Sequence, residues 1–185
     1  MLIISVKCAN YIFKRRKIMK ESVLSAETTE IMYKFNCGMY LITVCDGIKD
    51  NGCIINSAVQ ITDDPVRIVF SLNKHSYTHK LLQKTGEFNL SVLDSSASRE
   101  LIEHFGHKSG REGSKFADDM PFARSKNGVL YLTSMSCAAL SFENVALTDW
   151  DSHTLFTAEL KNARSISDKP PMSYRDYHEM SGLDI

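Results

Sequence analysis

The sequence predicts a mainly β protein, an antiparallel β-barrel with peripheral helices, built as one domain. At least six stretches have the length and apolar pattern of strands, and the turns between them are short. The helical patterns that interrupt them are also short, which favours an antiparallel barrel over a sheet built from βαβ units. A chain of 185 residues is long enough to bury such a core by itself.

The composition is that of a soluble globular protein, with 43% hydrophobic and 24% charged residues. The 22 basic residues balance the 22 acidic ones, so the chain as a whole has no field that attracts nucleic acid or an anionic membrane. Any site for an anion must therefore be local.

Cysteine usage indicates a reducing compartment. The five cysteines form no CxxC pair, and an odd number argues against a disulfide framework. We interpret them as reduced thiols that mostly fill the core, and we expect a cytoplasmic protein. They are Cys8, Cys37, Cys45, Cys53 and Cys137.

Residues 1–20 differ from the rest and are interpreted as an N-terminal tail outside the fold, with the domain formed by residues 21–185. A short apolar run at residues 2–6 precedes a basic cluster at residues 14–17. A secretory signal has its charges before the apolar part, and this run is too short to span a bilayer. The cluster is either a contact for an anionic partner or, as we prefer, part of a solvated tail. Met19 is an alternative start, which would make the segment before it dispensable.

The first elements of the domain are a helix and a strand. Residues 21–35 have a helical pattern, and residues 37–45 alternate with a period of two. Both faces of this strand are largely apolar, so we expect it to be buried on both sides and to border a partner surface. The dipeptides Asp46-Gly47 and Asn51-Gly52 predict a hairpin into the next strand.

A part-polar strand and an apolar strand follow. The first carries Asn56, Ser57 and Gln60, polar side chains at positions where a purely structural strand would be apolar. A turn at residues 62–65 separates it from the apolar strand at residues 66–72.

The apolar strand opens into a short helix. Ser76 is predicted to cap its N-terminus, because the hydroxyl can accept from the free amides of the first turn, and Gly86 is predicted to end it. Leu81 and Leu82 are expected on its inner side.

The start of this helix is a candidate phosphate site. Unpaired N–H groups and the helix dipole favour an anion there, Lys74 adds a positive charge, and Ser76 and Thr78 add hydroxyl donors. The alternative is an ordinary capped helix with a solvated lysine. The polar side chains on the preceding strand favour the phosphate site.

The second half of the chain supplies a strand at residues 87–93 and a helix at residues 98–105 that is expected to end at Gly106. Residues 107–116 carry three cations among small residues. They predict a mobile basic loop that closes over a phosphate or a cofactor, or else a plain surface loop. The remaining predicted elements are strands at residues 128–133, 137–148 (with a bulge near Glu143-Asn144) and 153–163, and a last helical turn at residues 173–180.

Two histidine pairs have the spacing of metal ligands on one helix face. His75 and His79 are four residues apart, and His104 and His107 are three apart. Neither pair has the nearby acidic or cysteine ligands that a closed site needs, so no metal site is predicted.

Seven segments, taken in order, resemble the flavin reductase-like family, whose fold is an FMN-binding split barrel, a Greek-key-like antiparallel barrel. The resemblance is strongest to flavoredoxins and to the flavin domain of high-molecular-weight rubredoxins, and it covers about residues 31–178. No single segment is diagnostic, so the specificity lies in their order. The segments are GMYLITVCDG, DNGCIINSAVQIT, DDPVRIVFSLNKHSYTH, EFNLSVL, ELIEHFGHKSGREGSKFA, SHTLFTAEL and PPMSYRDYH.

The resemblance implies a homodimer that binds FMN in each of two sites near the subunit interface. The strand around Asn56 would lie along the isoalloxazine, residues 73–78 would hold the phosphate, residues 109–116 would flank the flavin, and His153 would stand near its open face. Backbone groups and amide side chains supply the hydrogen-bond partners that an isoalloxazine needs, and amides with a cation suit a phosphate. The implied cofactor-binding residues are Asn56, Ser57, Ala58, Gln60, Asn73, Lys74, Ser76, Tyr77, Thr78, Ser109, Gly110, Arg111, Lys115 and Phe116, and the implied catalytic residue is His153.

The implied activity is electron transfer from NADH or NADPH through bound FMN to an acceptor, which is a flavin, ferric iron or a redox protein. A Rossmann GxGxxG is absent, so the pyridine nucleotide is expected to bind transiently beside the flavin. Two alternatives remain: an FMN electron-transfer protein reduced by a protein partner, and a non-redox split barrel that binds another flat or phosphorylated ligand. His153 either orients the nicotinamide, supports flavin N1, or is a strand-end histidine bonded to a turn.

Overall fold

A computed structural model describes residues 31–32 and 34–181 of the chain, which divides into two units, the second beginning at Asn36. The predicted tail at residues 1–20 and most of the predicted helix at residues 21–35 lie outside the described residues. Residues 31–32, near the end of that predicted helix, are helical. The second unit carries the sheet and is the subject of the following paragraphs.

Antiparallel strands dominate this unit, as predicted. Seven of them form one sheet in the order β2-β1-β5-β8-β9-β4-β3, and β6 pairs with β7. The three-residue β6 was not indicated by the sequence. The strands of the second unit are β1 (Tyr40–Cys45), β2 (Asp50–Ile55), β3 (Val59–Asp63), β4 (Val66–Asn73), β5 (Phe88–Leu93), β6 (Phe122–Arg124), β7 (Leu130–Leu132), β8 (Ser136–Trp150) and β9 (His153–Ser165), and the helices are α1 (Tyr77–Thr85), α2 (Arg99–His107) and α3 (Tyr174–Ser181).

The sheet must curl into a barrel because its two edge strands are consecutive in the chain. β2 ends at Ile55 and β3 begins at Val59. Four residue steps reach at most about 14 Å, whereas six strand spacings of about 4.8 Å would place the edges of a flat sheet about 29 Å apart. The two edge strands are not paired with each other in the described sheet, so the barrel is split between them. We call residues 56–58, which cross this split, the seam.

Asn56 and Ser57 lie at the seam and not inside a strand, which corrects the prediction of one continuous part-polar strand. The Ser57 hydroxyl accepts a hydrogen bond from Ser71 N (3.1 Å) and lies 3.3 Å from Ser71 O. These side-chain bonds take the place of ladder bonds where the chain crosses from β2 to β3. Regular pairing with β4 resumes at Val59.

Two apolar cores lie on opposite faces of β1. Ile42 and Val44 face the barrel interior, and Leu41 packs with Ile102 and Phe105 of α2 on the other side. The prediction that β1 is buried on both sides is therefore confirmed. The inference of a partner surface from its second face was wrong, because α2 of the same chain covers that face. The homodimer stays a prediction on other grounds.

The C-terminal end of α1 agrees with its prediction, whereas the predicted capping bond at the N-terminal end is not formed. Gly86 ends the helix in the left-handed region, with φ at 69°, and its N–H donates to Leu82 O (3.0 Å). Leu81 and Leu82 are buried, as expected. Ser76 occupies the N-cap position, but its hydroxyl makes no capping bond within the described helix. The hydroxyl lies instead beside the Cys53 thiol.

The remaining elements agree with the predicted ones to within a few residues at each end: α2, β8 and β9 are longer than predicted, and β5 and β7 are shorter. Ser98 caps α2 by accepting from Leu101 N (3.2 Å), and α2 runs past the predicted stop at Gly106 to His107. The predicted bulge in β8 is confirmed, because the pairing with β9 shifts there and Asn144 takes a φ of 56°. Across the described part of the chain, no helix combines the length and the apolar content needed to cross a membrane.

A row of polar side chains crosses the outer face of the sheet, and the β6–β7 hairpin covers half of it. Thr43, Asn89, Ser141 and Asn162 are successive cross-strand partners on β1, β5, β8 and β9. Thr43 and Asn89 are fully buried under the hairpin, whereas Asn162 is exposed at the other end of the row. The row therefore has a covered half and an open half.

Asn89 fastens the hairpin to the sheet. Its Nδ2 donates to Val129 O (2.8 Å) and lies 3.2 Å from Leu130 O, and its Oδ1 accepts from Asn127 Nδ2 (3.2 Å). These bonds satisfy the carboxamide of Asn89, which is buried and has lost its contact with water.

Asn89→Ala is expected to lower the free energy of unfolding by about 1–3 kcal/mol, because it removes the hydrogen bonds between the buried Asn89 carboxamide and the hairpin and takes away the acceptor of Asn127 Nδ2. Asn162→Ala is the matched control at the exposed end of the same row, and its effect should stay within about 0.5 kcal/mol. Urea unfolding of the two variants measures both values. Equal losses would contradict the role assigned to Asn89.

Candidate functional site

A groove runs from the N-terminus of α1 past the seam to the start of α3. It consists of three adjoining cavities of about 360, 260 and 230 Å³, which we call the α1 end, the centre and the α3 end. Gly106 lines all three, Asn73 and Ser76 line the first two, and Asn56 lines the last two. Together they have the size of a site for a cofactor.

The α1 end presents hydrogen-bond donors to an anion. The first amides of a helix lack an intrahelical acceptor, and those of Tyr77 and Thr78 belong to residues that line this cavity. Asn51 Nδ2 donates to Thr78 Oγ1 (2.8 Å), and both side chains are buried. Asn51 Oδ1 is also buried and has no partner among the described residues. Turning the carboxamide over would let Oδ1 accept from the Thr78 hydroxyl and would point the Nδ2 donors at a ligand.

Gly110 brings the basic loop against this orphaned oxygen. A Cβ at this position would overlap Asn51 Oδ1 and would lie 3.5 Å from the Tyr77 ring, so the close approach requires glycine. The next residue, Arg111, donates to His75 O (2.9 Å), and its guanidinium carbon is 5.6 Å from the centre of the Tyr77 ring. The loop is therefore fixed to the start of α1.

Lys115 fixes the other end of the loop. Its Nζ donates to Gly52 O and to Phe105 O, both at 2.9 Å, and burial lowers the pKa of this ammonium group. Two of its three N–H donors thus join β2 to α2, and one is left for the groove that the residue lines. Phe116 packs in an aromatic cluster with Phe105 and Phe122. The predicted mobile loop is anchored at both ends.

Lys74 is not among the residues that line the groove. Its Nζ lies 3.4 Å from Asp149 Oδ2, at the end of β8. Asp149 Oδ1 accepts from the Thr154 hydroxyl (2.6 Å), which lies 2.8 Å from His79 Nε2. The bond from Thr154, followed by the contact with Lys74, lowers the pKa of Asp149, and burial lowers the pKa of His79. This network ties the start of α1 to the strand ends beside it.

His153 lies at the first residue of β9 and lines the centre of the groove. Its Nδ1 is 2.8 Å from the Ser152 hydroxyl, so it is a strand-end histidine bonded to a turn. The same bond leaves Nε2 for a ligand. Asn73, its cross-strand partner, accepts from His75 N (2.9 Å) through Oδ1 and so shapes the loop before α1.

Most of the residues implied by the resemblance meet at this groove, and a few do not. Ala58 packs against the barrel core, and Gln60 donates to Asp63 Oδ1 (2.6 Å) on the exposed β3. The break at the seam explains the position of Gln60, because residues beyond the seam belong to β3, which does not line the groove. The implied residues that line the groove are Asn56, Ser57, Asn73, Ser76, Tyr77, Thr78, Ser109, Gly110, Lys115 and His153.

Several residues of the groove were not predicted. The sequence pattern assigns Asn51 to an Asn-Gly turn. In the structure it lies inside β2, and its Oδ1 is the buried oxygen that has no partner among the described residues. Burial raises the pKa of the Cys53 thiol, which lines the centre. Tyr174 and Tyr177 line the α3 end, and their spacing of three residues on one helix face is the signal that could have found them.

The curled antiparallel sheet, its open seam and the groove beside a helix N-terminus define a split barrel with a cofactor-sized site. The sequence matches the flavin reductase like domain over residues 32–181. The chain therefore belongs to the flavin reductase-like family, and it is a flavin-dependent oxidoreductase of that class.

Two relatives each share 34% identity with this chain. One is the ferric-chelate reductase (NAD(P)H) of Archaeoglobus fulgidus, matched over 151 residues that cover 82% of this chain and 89% of that protein. The other is a high molecular weight rubredoxin of Moorella thermoacetica, matched over 152 residues that cover 82% of this chain and 66% of that protein.

Solved structures share the fold at lower identity. The NADH:FAD oxidoreductase of Streptomyces globisporus gives a TM-score of 0.70 at 22% identity, covering 78% of this chain and 85% of that one. An FMN-binding protein from Thermus thermophilus gives a TM-score of 0.68 at 22% identity, covering 76% and 82%. The split-barrel prediction is thereby confirmed.

Gly110→Ala is expected to weaken flavin binding by roughly tenfold or more, because the new Cβ pushes the loop away from Asn51 and opens the α1 end. Gly113→Ala in the same loop is the control, since a Cβ there meets no atom within 4 Å. Fluorescence titration with FMN measures both. Tight binding by the Gly110 variant would show that the α1 end is not the phosphate site.

Proposed function

We propose that the flavin is FMN and that this protein transfers electrons from NADH or NADPH through it to an acceptor, either ferric iron in a chelate or a free flavin. The observation that carries the proposal is the buried, unpartnered Asn51 Oδ1 at the N-terminus of α1. An unsatisfied buried polar atom costs about 1–3 kcal/mol, so its presence at a helix N-terminus indicates a site built for a ligand.

The α1 end fits a terminal monophosphate. The Tyr77 and Thr78 amides, the carboxamide of Asn51 and the remaining N–H of Lys115 are all donors, and Gly110 leaves room beside them. A single cradle of this kind is what FMN needs, whereas a dinucleotide needs a second nucleotide subsite. This supports FMN over FAD.

The centre and the α3 end would hold the flavin ring. When bound, the flavin supplies the redox chemistry by taking up two electrons with a proton and passing them on. Asn56 and Ser57 offer amide and hydroxyl groups to the polar edge of the ring, and Tyr174 with Tyr177 offers aromatic surface. Nε2 of His153 can donate or accept a hydrogen bond at the open side of the centre. We propose that it orients the nicotinamide.

The names of the two relatives support two different kinds of electron acceptor. The A. fulgidus protein is named as a reductase of ferric chelates that uses NAD(P)H, and it is matched over most of its length. That supports a small-molecule acceptor and a pyridine nucleotide donor. The match to a high molecular weight rubredoxin favours a second candidate, an FMN electron-transfer protein that exchanges electrons with a protein partner.

Two further proposals concern assembly and location. A homodimer with its interface beside the flavin sites follows from the family resemblance. A cytoplasmic location is supported by the four described cysteines, which are all free thiols. The fifth, Cys8, lies outside the described residues.

An anaerobic titration of the FMN-loaded protein tests the activity. NADH or NADPH should bleach the visible absorbance of the oxidised flavin, and a ferric chelate or free FMN added afterwards should restore it. Bound flavin that neither nucleotide reduces would indicate the electron-transfer candidate instead. Failure to bind any flavin would leave a non-redox split barrel and would overturn the proposal.

Lys74→Ala is expected to weaken FMN binding by about 1–3 kcal/mol, if Lys74 exchanges Asp149 for the phosphate when the cofactor binds. Lys80→Ala is the control, because Lys80 is an exposed cation on the same helix that does not line the groove. Fluorescence titration compares the two. Equal affinities would show that Lys74 serves only the network with Asp149.

A further inference from the structure

A second polar cleft lies on the outer face of the barrel, outside the flavin groove. Its volume is about 120 Å³, below the roughly 300–1,000 Å³ of typical pockets for drug-sized ligands and cofactors, so it suits a small ligand. The cleft sits where the β6–β7 hairpin stops covering the polar row. The residues that line it are Asn89, Arg124, Ser125, Lys126, Tyr131, Ala139, Ser141, Asn162 and Arg164, and none of these is acidic.

The floor of the cleft is the open half of the polar row. Ser141 and Asn162 are cross-strand partners on β8 and β9, and Arg164 is the partner of Ala139 in the neighbouring row. Asn89 forms the inner end of the floor, and its carboxamide is hydrogen-bonded to Val129 O and Asn127 Nδ2 of the β6–β7 hairpin. Within the described part of the chain the side chains of Ser141 and Asn162 have no hydrogen-bond partner, so a hydroxyl and a carboxamide on the floor are available to a ligand.

Arg164 is held in place before any ligand arrives. Its Nη1 donates to the Tyr131 hydroxyl (2.9 Å), and its guanidinium carbon lies 5.5 Å from the centre of the same ring. Tyr131 is itself buried. Because one N–H of the fork is used and the side chain is already ordered, the remaining donors can bind an oxyanion with little further loss of freedom.

The cleft carries uncompensated positive charge. Arg124 is neutralised by Asp50, with Nη2 to Oδ2 at 2.6 Å. Among the residues that the structure describes, neither Arg164 nor Lys126 forms an ion pair. Two unpaired cations therefore converge on one small cleft in a chain whose formal net charge is zero.

We propose that this cleft binds a small oxyanion, a phosphate or carboxylate group, with Arg164 as the main contact and Lys126 as the second cation. The ligand is either free inorganic phosphate or a small polycarboxylate, since both present the oxygen atoms that a guanidinium fork and amide donors bind. The site is separate from the flavin groove, with which it shares no lining residue.

Calorimetric titration at constant ionic strength tests the proposal on the FMN-saturated protein, with inorganic phosphate and citrate as the two probes. Saturation with FMN keeps either anion out of the α1 end of the groove, and a parallel titration without FMN covers the case in which flavin does not bind. At least one probe should bind saturably, one per chain. The stronger of the two identifies the source of the oxyanion.

Arg164→Gln should weaken the binding of that probe by about tenfold or more, because charge-assisted hydrogen bonds are lost. Lys126→Gln, which leaves the contact with Tyr131 intact, should weaken it by roughly threefold to tenfold. Lys161→Gln is the matched control, since it removes the same charge from the same strand outside the cleft, and should change affinity by less than about twofold.

Three results would overturn the proposal. The first is the absence of saturable binding of either probe to the wild-type protein. The second is an equal loss of affinity in the Arg164 and Lys161 variants, which would indicate a general charge effect. The third, should Arg164→Gln fail to fold, is unchanged affinity in Lys126→Gln.

Discussion

The fold depends on one constraint of chain length. Because residues 56–58 alone separate the two edge strands, the sheet can exist only if it curls until those edges nearly meet. The curl creates the barrel interior that holds the first core, and it leaves an opening where the ladder is interrupted. The groove runs along this opening, so the same short link that closes the sheet also places the site.

The polar groups of the groove are arranged by bonds that serve the fold. Lys115 joins β2 to α2 through two carbonyl oxygens, and the bonds between Ser57 and Ser71 carry the chain across the seam. Asn51 is the exception, because half of its carboxamide supports Thr78 and the other half has no partner in the described structure. Bonds that serve the fold therefore position most of the polar groups that line the groove.

The sequence predicted the elements better than it predicted their ends and contacts. Alternating apolar residues revealed β1, and Gly86 correctly marked the end of α1, because these signals are local. The break at the seam was missed, since polar side chains in an apolar stretch look the same in a strand and between two strands. Whether a lysine side chain is exposed or buried depends on tertiary contacts, so the different environments of Lys74 and Lys115 could not be predicted from the sequence. One pairs with Asp149 at the surface, and the other is buried between two carbonyls.

The two-sided burial of β1 has a consequence for how the strands find their alignment. A strand with one apolar face resists a slip of one residue, because the slip would expose that face, but a strand that is apolar on both faces lacks this protection. In β1 the discriminating residue is Thr43, whose hydroxyl donates to Leu130 O and whose cross-strand partner is Gly52. A side chain at Gly52 would come within 2.9 Å of Ile42 O, so the position accepts only glycine. A single hydroxyl and a single missing side chain thus help to specify the register of β1, a task that hydrophobic patterning performs in most sheets.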